Sequence, residues 1–195
     1  MTKKIKCIVK ENLHEGYLRV TRYDLEVPSL DPKKESIKMT NRELVEGADS
    51  ILVLIYVPAA DSFVFCQEFR IGVWSNQSQD DPFILECVSG TIDANDGPEE
   101  TACKEVYEET GLTISTVIPI AIAYKSPGLM TEKCYLYYAE LAEIPDTGFY
   151  GTESEEIKTQ LIPRAEIYQF MDDMKIMDGA TLIALNWFRA RNRTG

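Results

Sequence analysis

The sequence predicts an α+β fold, in which a sheet and helices form a sandwich. Three observations lead to this fold class: strand-like runs come first, one helix interrupts them, and two helices follow the last strand. Elements segregated in this way are typical of α+β proteins. The 195 residues are enough for one domain with a small appendage.

The first half of the chain contains most of the predicted strands. Several runs alternate or are rich in β-branched and aromatic residues, and proline or glycine punctuates their ends. The runs are residues 5–9, 17–27, 36–44, 51–57, 63–70 and 83–88. Polar or turn-rich loops at 74–82 and 90–97 flank the last of them.

The second half begins with a helix at residues 99–110. It stops at Gly111, a natural C-terminal cap. Strands at 117–124, 134–141 and 157–161 follow, with a loop at 144–156 and helices at 163–174 and 178–191. The final helix has a broad apolar stripe, which suits it to close the end of a domain.

Charge and composition narrow the function. The net charge of −12 repels a nucleic-acid backbone, and a phosphorylated small substrate would need bound cations to approach. No apolar run reaches the roughly 20 residues of a membrane span, and no apolar stretch follows the basic start as in a signal peptide. We therefore expect a cytoplasmic protein that binds neither nucleic acid nor membrane.

The cysteine pattern argues against a zinc site or a disulfide framework. The five cysteines are scattered and form no C-x-x-C pair, so we interpret them as small buried hydrophobes in a reducing compartment. The single histidine, His14, leaves little material for a Ser/His/Asp triad.

Three glutamates carry the chemical signal. Glu105, Glu108 and Glu109 are spaced so that a helix places all three carboxylates on one face, while Ala102 and Val106 face the sheet. Such a pattern alone is typical of a solvated acidic surface. Oxygen ligands of this kind also suit Mg²⁺ or Mn²⁺, which bind phosphate oxygens.

The surrounding residues favour the metal site. The segment GTIDANDGPEETACKEVYEETGL, residues 90–112, resembles the Nudix box, G-x5-E-x7-R-E-U-x-E-E-x-G-U, where U is aliphatic. Gly90, Gly111 and the three glutamates match it. Asp96 stands where the first glutamate belongs. Lys104 replaces the arginine, and a lysine cannot bind a carboxylate through two parallel hydrogen bonds as an arginine does.

The resemblance covers about residues 50–191 and points to the branch of ADP-ribose pyrophosphatases and GDP-mannose pyrophosphatases. It implies a Nudix-type α/β/α sandwich with a mixed sheet. Four segments carry it: QEFR at 67–70, LECVSG at 85–90, SPGLMTE at 126–132 and DGATLIALNWF at 178–188.

The resemblance implies a site that holds two or three Mg²⁺ or Mn²⁺ ions. Glu105 and Glu109 would bind them, with Glu108 beside them and the Ser89 carbonyl completing the shell. The acidic loop after the box would supply two further groups, namely Glu153 as catalytic base and Glu155 as a metal ligand. The residues that would support the site are Gly90, Asp96, Lys104 and Gly111.

Substrate contacts are expected from two other segments. Arg70 ends an apolar strand, where it either forms an ion pair or clamps a phosphate bidentately. In the SPGLMTE segment, Gly128 would contact substrate, and Glu132 would orient the loop or contact the terminal ribose.

The implied reaction is attack of water on one phosphorus of ADP-ribose, which gives AMP and ribose 5-phosphate. Two alternatives remain: hydrolysis of GDP-mannose or another sugar nucleotide, and a non-catalytic sensor of nucleotide sugars. The resemblance also implies a homodimer, with residues 46–195 as the Nudix domain. Residues 1–45 would form the dimerisation sheet, and a self-contained small sheet would show the same strand pattern.

Overall fold

The computed structural model describes residues 4–151 and 155–192. The chain divides into two compact units. The first consists of the residues up to Ala48 together with Tyr124–Glu132, and the second contains the rest.

The first unit contains a three-stranded antiparallel sheet in the order β1-β2-β3. Its strands are β1 (Lys6–Glu15), β2 (Arg19–Pro28) and β3 (Ser36–Glu46). The first strand continues beyond the predicted residue 9, because it pairs with β2 along its whole length. Its polar second half is exposed on both faces and so lacks the apolar alternation of a strand. Cys7 lies here and is exposed, so its predicted burial was wrong.

The segment that contains Gly128 and Glu132 is attached to β3. The backbone N–H of Val45 donates to the oxygen of Leu129 at 2.8 Å, and the N–H of Thr131 donates back to Val45 at 3.1 Å. This segment therefore belongs structurally with the N-terminal strands.

The second unit contains a mixed sheet. Its strands are β4 (Ser50–Val57), β5 (Ser62–Phe69), β6 (Phe83–Glu86), β7 (Val88–Thr91), β8 (Ile118–Tyr124), β9 (Lys133–Glu140), β10 (Phe149–Tyr150) and β11 (Ile157–Pro163). The strand order is β10-β11-β5-β4-β9-β8, and β6 and β7 pair with β5 and β4 respectively. Strands β4 and β9 pair in parallel.

Three helices cover the two faces of this sheet, namely α2 (Pro98–Thr110), α3 (Arg164–Asp172) and α4 (Gly179–Arg191). A short helix, α1 (Ile71–Ser75), follows β5. Alternate residues of β4 pack into opposite clusters: Ile51 and Val53 pack with α2, whereas Leu52 and Leu54 pack with α3 and α4. The predicted α+β sandwich with a mixed sheet is confirmed.

Three local predictions were wrong. The run 83–88 is two strands, because β6 pairs with β5 while β7 pairs with β4. The loop 74–82 begins inside the short helix α1, and the loop 144–156 contains the two-residue strand β10. Short elements of this kind are fixed by partners distant in the chain, which local patterns do not record.

The sheet forks around Cys87. Strands β4 and β5 pair at one end, from Ile55 to Val57, and then diverge to pair with β7 and β6 respectively. Cys87 is the single residue between these two strands, and its backbone N–H donates to the Thr181 hydroxyl of α4 at 3.1 Å.

Among the described residues, no helix is long and apolar enough to cross a membrane.

Candidate active site

Helix α2 positions the glutamates of the predicted box. It begins with Pro98 at its first turn and ends at Gly111, which has a left-handed φ of 69°. Ala102 and Val106 are fully buried against the sheet. Because of this orientation Glu109 is buried, Glu105 is half-buried and Glu108 is exposed.

Gly90 lies directly beneath Glu105. A Cβ built on Gly90 would overlap Cδ of the Glu105 carboxylate. Gly90 lies in β7 opposite Ile51, whose side chain belongs to the cluster beneath α2. Any side chain at this glycine of the box would therefore displace the Glu105 carboxylate, which occupies the space of a β-carbon.

Glu109 occupies a desolvated position with two hydrogen-bond donors. Only 8% of the residue is exposed. Burial raises the pKa of Glu109 to about 8, opposed by hydrogen bonds from the Cys66 thiol and the Ser89 backbone and reinforced by the Glu68 and Glu105 carboxylates. Ionisation of this carboxylate therefore costs free energy unless a nearby cation offsets the negative charge.

Glu105 shares this environment. Burial raises the pKa of Glu105 to about 7, and the neighbouring Glu108 carboxylate adds to the shift while Lys104 opposes it. Glu155 also repels Glu105, and it contributes to the raised pKa of Glu68, whose main cause is burial. The role of Glu155 as a metal ligand, which the resemblance implies, remains a prediction.

Residues 152–154 lie outside the described residues, and the expected base Glu153 is among them. Gly151 precedes them with a φ of 108°, and a Cβ there would overlap the main-chain oxygen of Glu155. A glycine suits this conformation because it has no β-carbon.

Arg70 is held by carboxylates at the edge of this cluster. Its Nε lies 2.5 Å from Oε2 of Glu86, and Nη1 lies 2.9 Å from Oε1 of Glu68. Nη2 donates to the Ser89 hydroxyl at 3.4 Å. Arg70 therefore forms ion pairs in this structure. Its expected contact with a phosphate of the substrate remains a prediction.

The two residues that depart from the box lie at the surface. Lys104 Nζ is 3.5 Å from Oδ2 of Asp93, and both side chains are largely exposed. The backbone N–H of Asp96 donates to the oxygen of Asp93 and closes a turn of the same loop. An exposed ion pair contributes little to stability, so this brace is weak.

Gly128 and Glu132 belong to the first unit, with β1–β3. Gly128 lies within a turn in which Leu129 and Met130 both donate backbone hydrogen bonds to Ser126. Glu132 Oε1 pairs with Lys125 Nζ at 2.8 Å. Their expected contacts with substrate remain predictions.

The donors of the second unit fit a divalent cation chemically. They are carboxylate and main-chain oxygens, which Mg²⁺ and Mn²⁺ prefer. Two of them, Glu105 and Glu109, are desolvated and repel each other, so a cation would favour their ionised forms. Within the described part of the chain, no three acidic, cysteine or histidine side chains are already gathered in a ligand geometry.

Sequence reasoning missed four residues of the site: Cys66, Glu68, Glu86 and Thr159. Two of them, Cys66 and Glu68, could have been found from alternation along β5, because they occupy every second position before the predicted Arg70. Glu86 belongs to the matching segment LECVSG, but no role was predicted for it from the sequence. Thr159 required the register between β5 and β11, which no local pattern supplies.

Comparisons with known proteins place this site in a family. No family model matches the chain. It is 31% identical over 192 residues to the GDP-mannose pyrophosphatase of Enterobacter sp. (strain 638), covering 97% of both chains. It is 29% identical over 188 residues to the ADP-ribose pyrophosphatase of Haemophilus influenzae, covering 95% of this chain and 86% of that one.

A solved structure agrees in fold. The crystal structure of an ADP compounds hydrolase superposes with a TM-score of 0.72 at 18% identity, and the match covers 97% of this chain and 94% of that one. The fold, the α2 carboxylates and these relatives define an enzyme that hydrolyses phosphorus anhydrides. The chain belongs to the Nudix hydrolase family, in the group that contains the ADP-ribose and GDP-mannose pyrophosphatases.

Proposed function

We propose that the protein hydrolyses the pyrophosphate bond of nucleoside diphosphate sugars, with ADP-ribose as substrate and AMP and ribose 5-phosphate as products. The observation that carries this proposal is the pair Glu105 and Glu109, two desolvated carboxylates on one face of α2. Relatives named for this substrate class match nearly the whole chain and support it.

The proposed cofactor is Mg²⁺ or Mn²⁺, with two or three ions in the site. Glu105, Glu109, Glu155 and the Ser89 carbonyl are the residues that would hold them, with Glu108 beside them. When bound, such ions neutralise phosphate charge, orient the attacking water and stabilise the leaving phosphate. The net charge of −12 makes a cation necessary for the approach of a pyrophosphate.

We assign Glu153 as the acceptor of the proton from the attacking water. The assignment is supported by the resemblance of residues 151–157 to the acidic loop that follows the box in this branch. It is also consistent with the neighbouring Glu155, whose charge acts on Glu105.

GDP-mannose is the second candidate substrate, because relatives of that name are 30–31% identical to this chain. Hydrolysis would then give a nucleoside monophosphate and a sugar 1-phosphate. We further propose a cytoplasmic homodimer in which β1–β3 form the dimerisation sheet. The exposed apolar side chains on these strands support this arrangement; they are Ile8, Leu13 and Ile37.

The test is incubation of the purified protein with Mg²⁺ and either ADP-ribose or GDP-mannose, followed by chromatography of the products. Glu109→Gln is run beside Glu100→Gln, a control that removes the same charge from an exposed position of the same helix. Reaction in ¹⁸O-labelled water identifies the phosphorus attacked, because the label enters only the product formed there.

We expect AMP from ADP-ribose, complete loss of turnover with a chelator, and at least a hundredfold loss in Glu109→Gln with little change in Glu100→Gln, in line with losses typical for groups that stabilise transition-state charge. Turnover of GDP-mannose alone would move the assignment to the second substrate. Binding of either compound without turnover would instead establish a sensor and contradict the proposal.

A further inference from the structure

Thr159 and Cys66 face each other across the pairing of β11 with β5. Residues directly opposite in an antiparallel pair point to the same face of the sheet. Here that face is the one covered by α2, and each residue is only 2% exposed. The two side chains thus form a buried polar pair beneath the catalytic helix.

Both side chains contact the same residue of α2. The Thr159 hydroxyl donates to the main-chain oxygen of Glu109 at 3.1 Å. The Cys66 thiol donates a hydrogen bond to the Glu109 carboxylate. Glu109 is therefore held at two points, once at its backbone and once at the end of its side chain.

The backbone contact has a specific cause. Helix α2 ends at Thr110, so the main-chain oxygen of Glu109 lies in the last turn, where carbonyl oxygens have no N–H donor within the helix. Thr159 supplies the missing donor from the sheet. It also joins α2 to β11, the strand that begins two residues after Glu155.

We propose that Thr159 and Cys66 form a two-point clamp that directs the Glu109 carboxylate and so sets the affinity of the site for a divalent cation. The inference rests on the proposed function for the identity of the cation site, but not for the substrate or for turnover. Both are positioning residues, since they act through Glu109. A glutamate anchored only at its backbone retains rotatable side-chain bonds, and the thiol hydrogen bond restricts them while leaving carboxylate lone pairs for a cation.

The test compares paired variants by Mn²⁺ binding, measured from the electron paramagnetic resonance of free Mn²⁺, and by thermal unfolding. Thr159→Val removes the hydroxyl at nearly constant volume, whereas Thr159→Ser keeps it. Cys66→Ala removes the thiol donor, whereas Cys66→Ser keeps one. The matched control is Thr101→Val, a buried threonine at the other end of α2 whose hydroxyl donates to Gly97 at 3.0 Å.

We expect Thr159→Val and Cys66→Ala each to raise the Mn²⁺ dissociation constant about tenfold, as removal of partners that orient metal ligands does. Thr159→Ser, Cys66→Ser and Thr101→Val should stay within about twofold, although Thr101→Val lowers the melting temperature. If Thr159→Val fails to fold, the Mn²⁺ dissociation constants of Cys66→Ala and Cys66→Ser test the clamp by themselves.

Unchanged Mn²⁺ affinity in Cys66→Ala, or a loss in Thr101→Val equal to that in Thr159→Val, would overturn the clamp. So would failure of the unsubstituted protein to bind Mn²⁺. If the protein binds Mn²⁺ with the expected dependence on both pairs but hydrolyses neither nucleotide sugar, the proposed function fails and the clamp stands.

Discussion

Arg70 and Glu86 form an ion pair in which Nε and Oε2 are 2.5 Å apart, between the end of β5 and the last residue of β6. The Glu86 side chain is only 12% exposed. This pair joins two strands beside the carboxylate cluster, and Glu68 completes the enclosure of the guanidinium at 2.9 Å. Arg70 thus offsets part of the negative charge that the site concentrates.

Arg70→Ala should lower the stability of the protein. The substitution leaves Glu68 and Glu86 as poorly compensated carboxylates, and breaking a buried pair typically costs several kcal/mol. Because the Arg70 side chain is 36% exposed, we expect a loss of about 2 kcal/mol in the free energy of unfolding, measured by urea denaturation. The double variant Arg70→Ala/Glu86→Gln should recover part of it; a purely additive loss would show that the two residues are not coupled.

Gly90→Ala should impair catalysis more than folding. The new methyl group would displace the Glu105 carboxylate, a group that we assign to the metal. We expect at least a tenfold rise in the Mg²⁺ concentration needed for half-maximal activity. Gly179→Ala is the control, because a Cβ at that position meets nothing within 4 Å. Equal Mg²⁺ requirements in the two variants would contradict this account of Gly90.

The metal-free protein should become less stable as the pH rises. The pKa values of Glu105 and Glu109 are raised by burial to about 7 and about 8, whereas both groups titrate near 4.5 when exposed. The folded state therefore binds protons more tightly, and the stability this confers is complete at low pH and is lost as the pH rises through the raised values. Melting temperatures in chelator should fall between about pH 4.5 and pH 8, the range in which the folded state holds protons that the unfolded state has lost.

Saturating Mg²⁺ should flatten that dependence, since a bound cation favours the ionised carboxylates. Glu109→Gln in chelator should flatten it partly, because one of the two groups no longer titrates. A slope that is the same in chelator, in Mg²⁺ and in Glu109→Gln would mean that other groups control the pH dependence.

The proposed homodimer predicts a mass in solution of twice the 22.1 kDa of the chain. Sedimentation equilibrium measures it directly. Ile8→Asp places a charge on an exposed apolar position of β1 and should shift the equilibrium towards monomer if β1–β3 form the interface. Ile183→Asp is a matched control on an exposed position of α4, and it should leave the mass unchanged.

The sequence predicted the parts of the fold and site that local spacing encodes. The helical repeat placed Glu105 and Glu109 on one face of α2, and Gly111 marked its end. Uninterrupted apolar residues identified the strand β4. These features depend on residues within one turn or one strand of each other.

The remaining features depend on pairing between distant segments. Nothing near Cys87 distinguishes one long strand from two, because the change of partner from β5 to β4 is a property of the sheet. The contacts of Thr159 and Arg70 likewise follow from strand register. The apolar pattern constrains register, but it does not identify partners.

The fork of the sheet at Cys87 links the sheet to α4, the helix on the face opposite α2. At Cys87 the sheet does not complete its own hydrogen bonding, and Thr181 of α4 accepts that N–H from the layer opposite α2. Ser89 follows only two residues later. Helix α4, on the face of the sheet opposite α2, thus supports the main chain that leads to Ser89, and substitutions at Thr181 can alter the proposed metal site from the other side of the sheet.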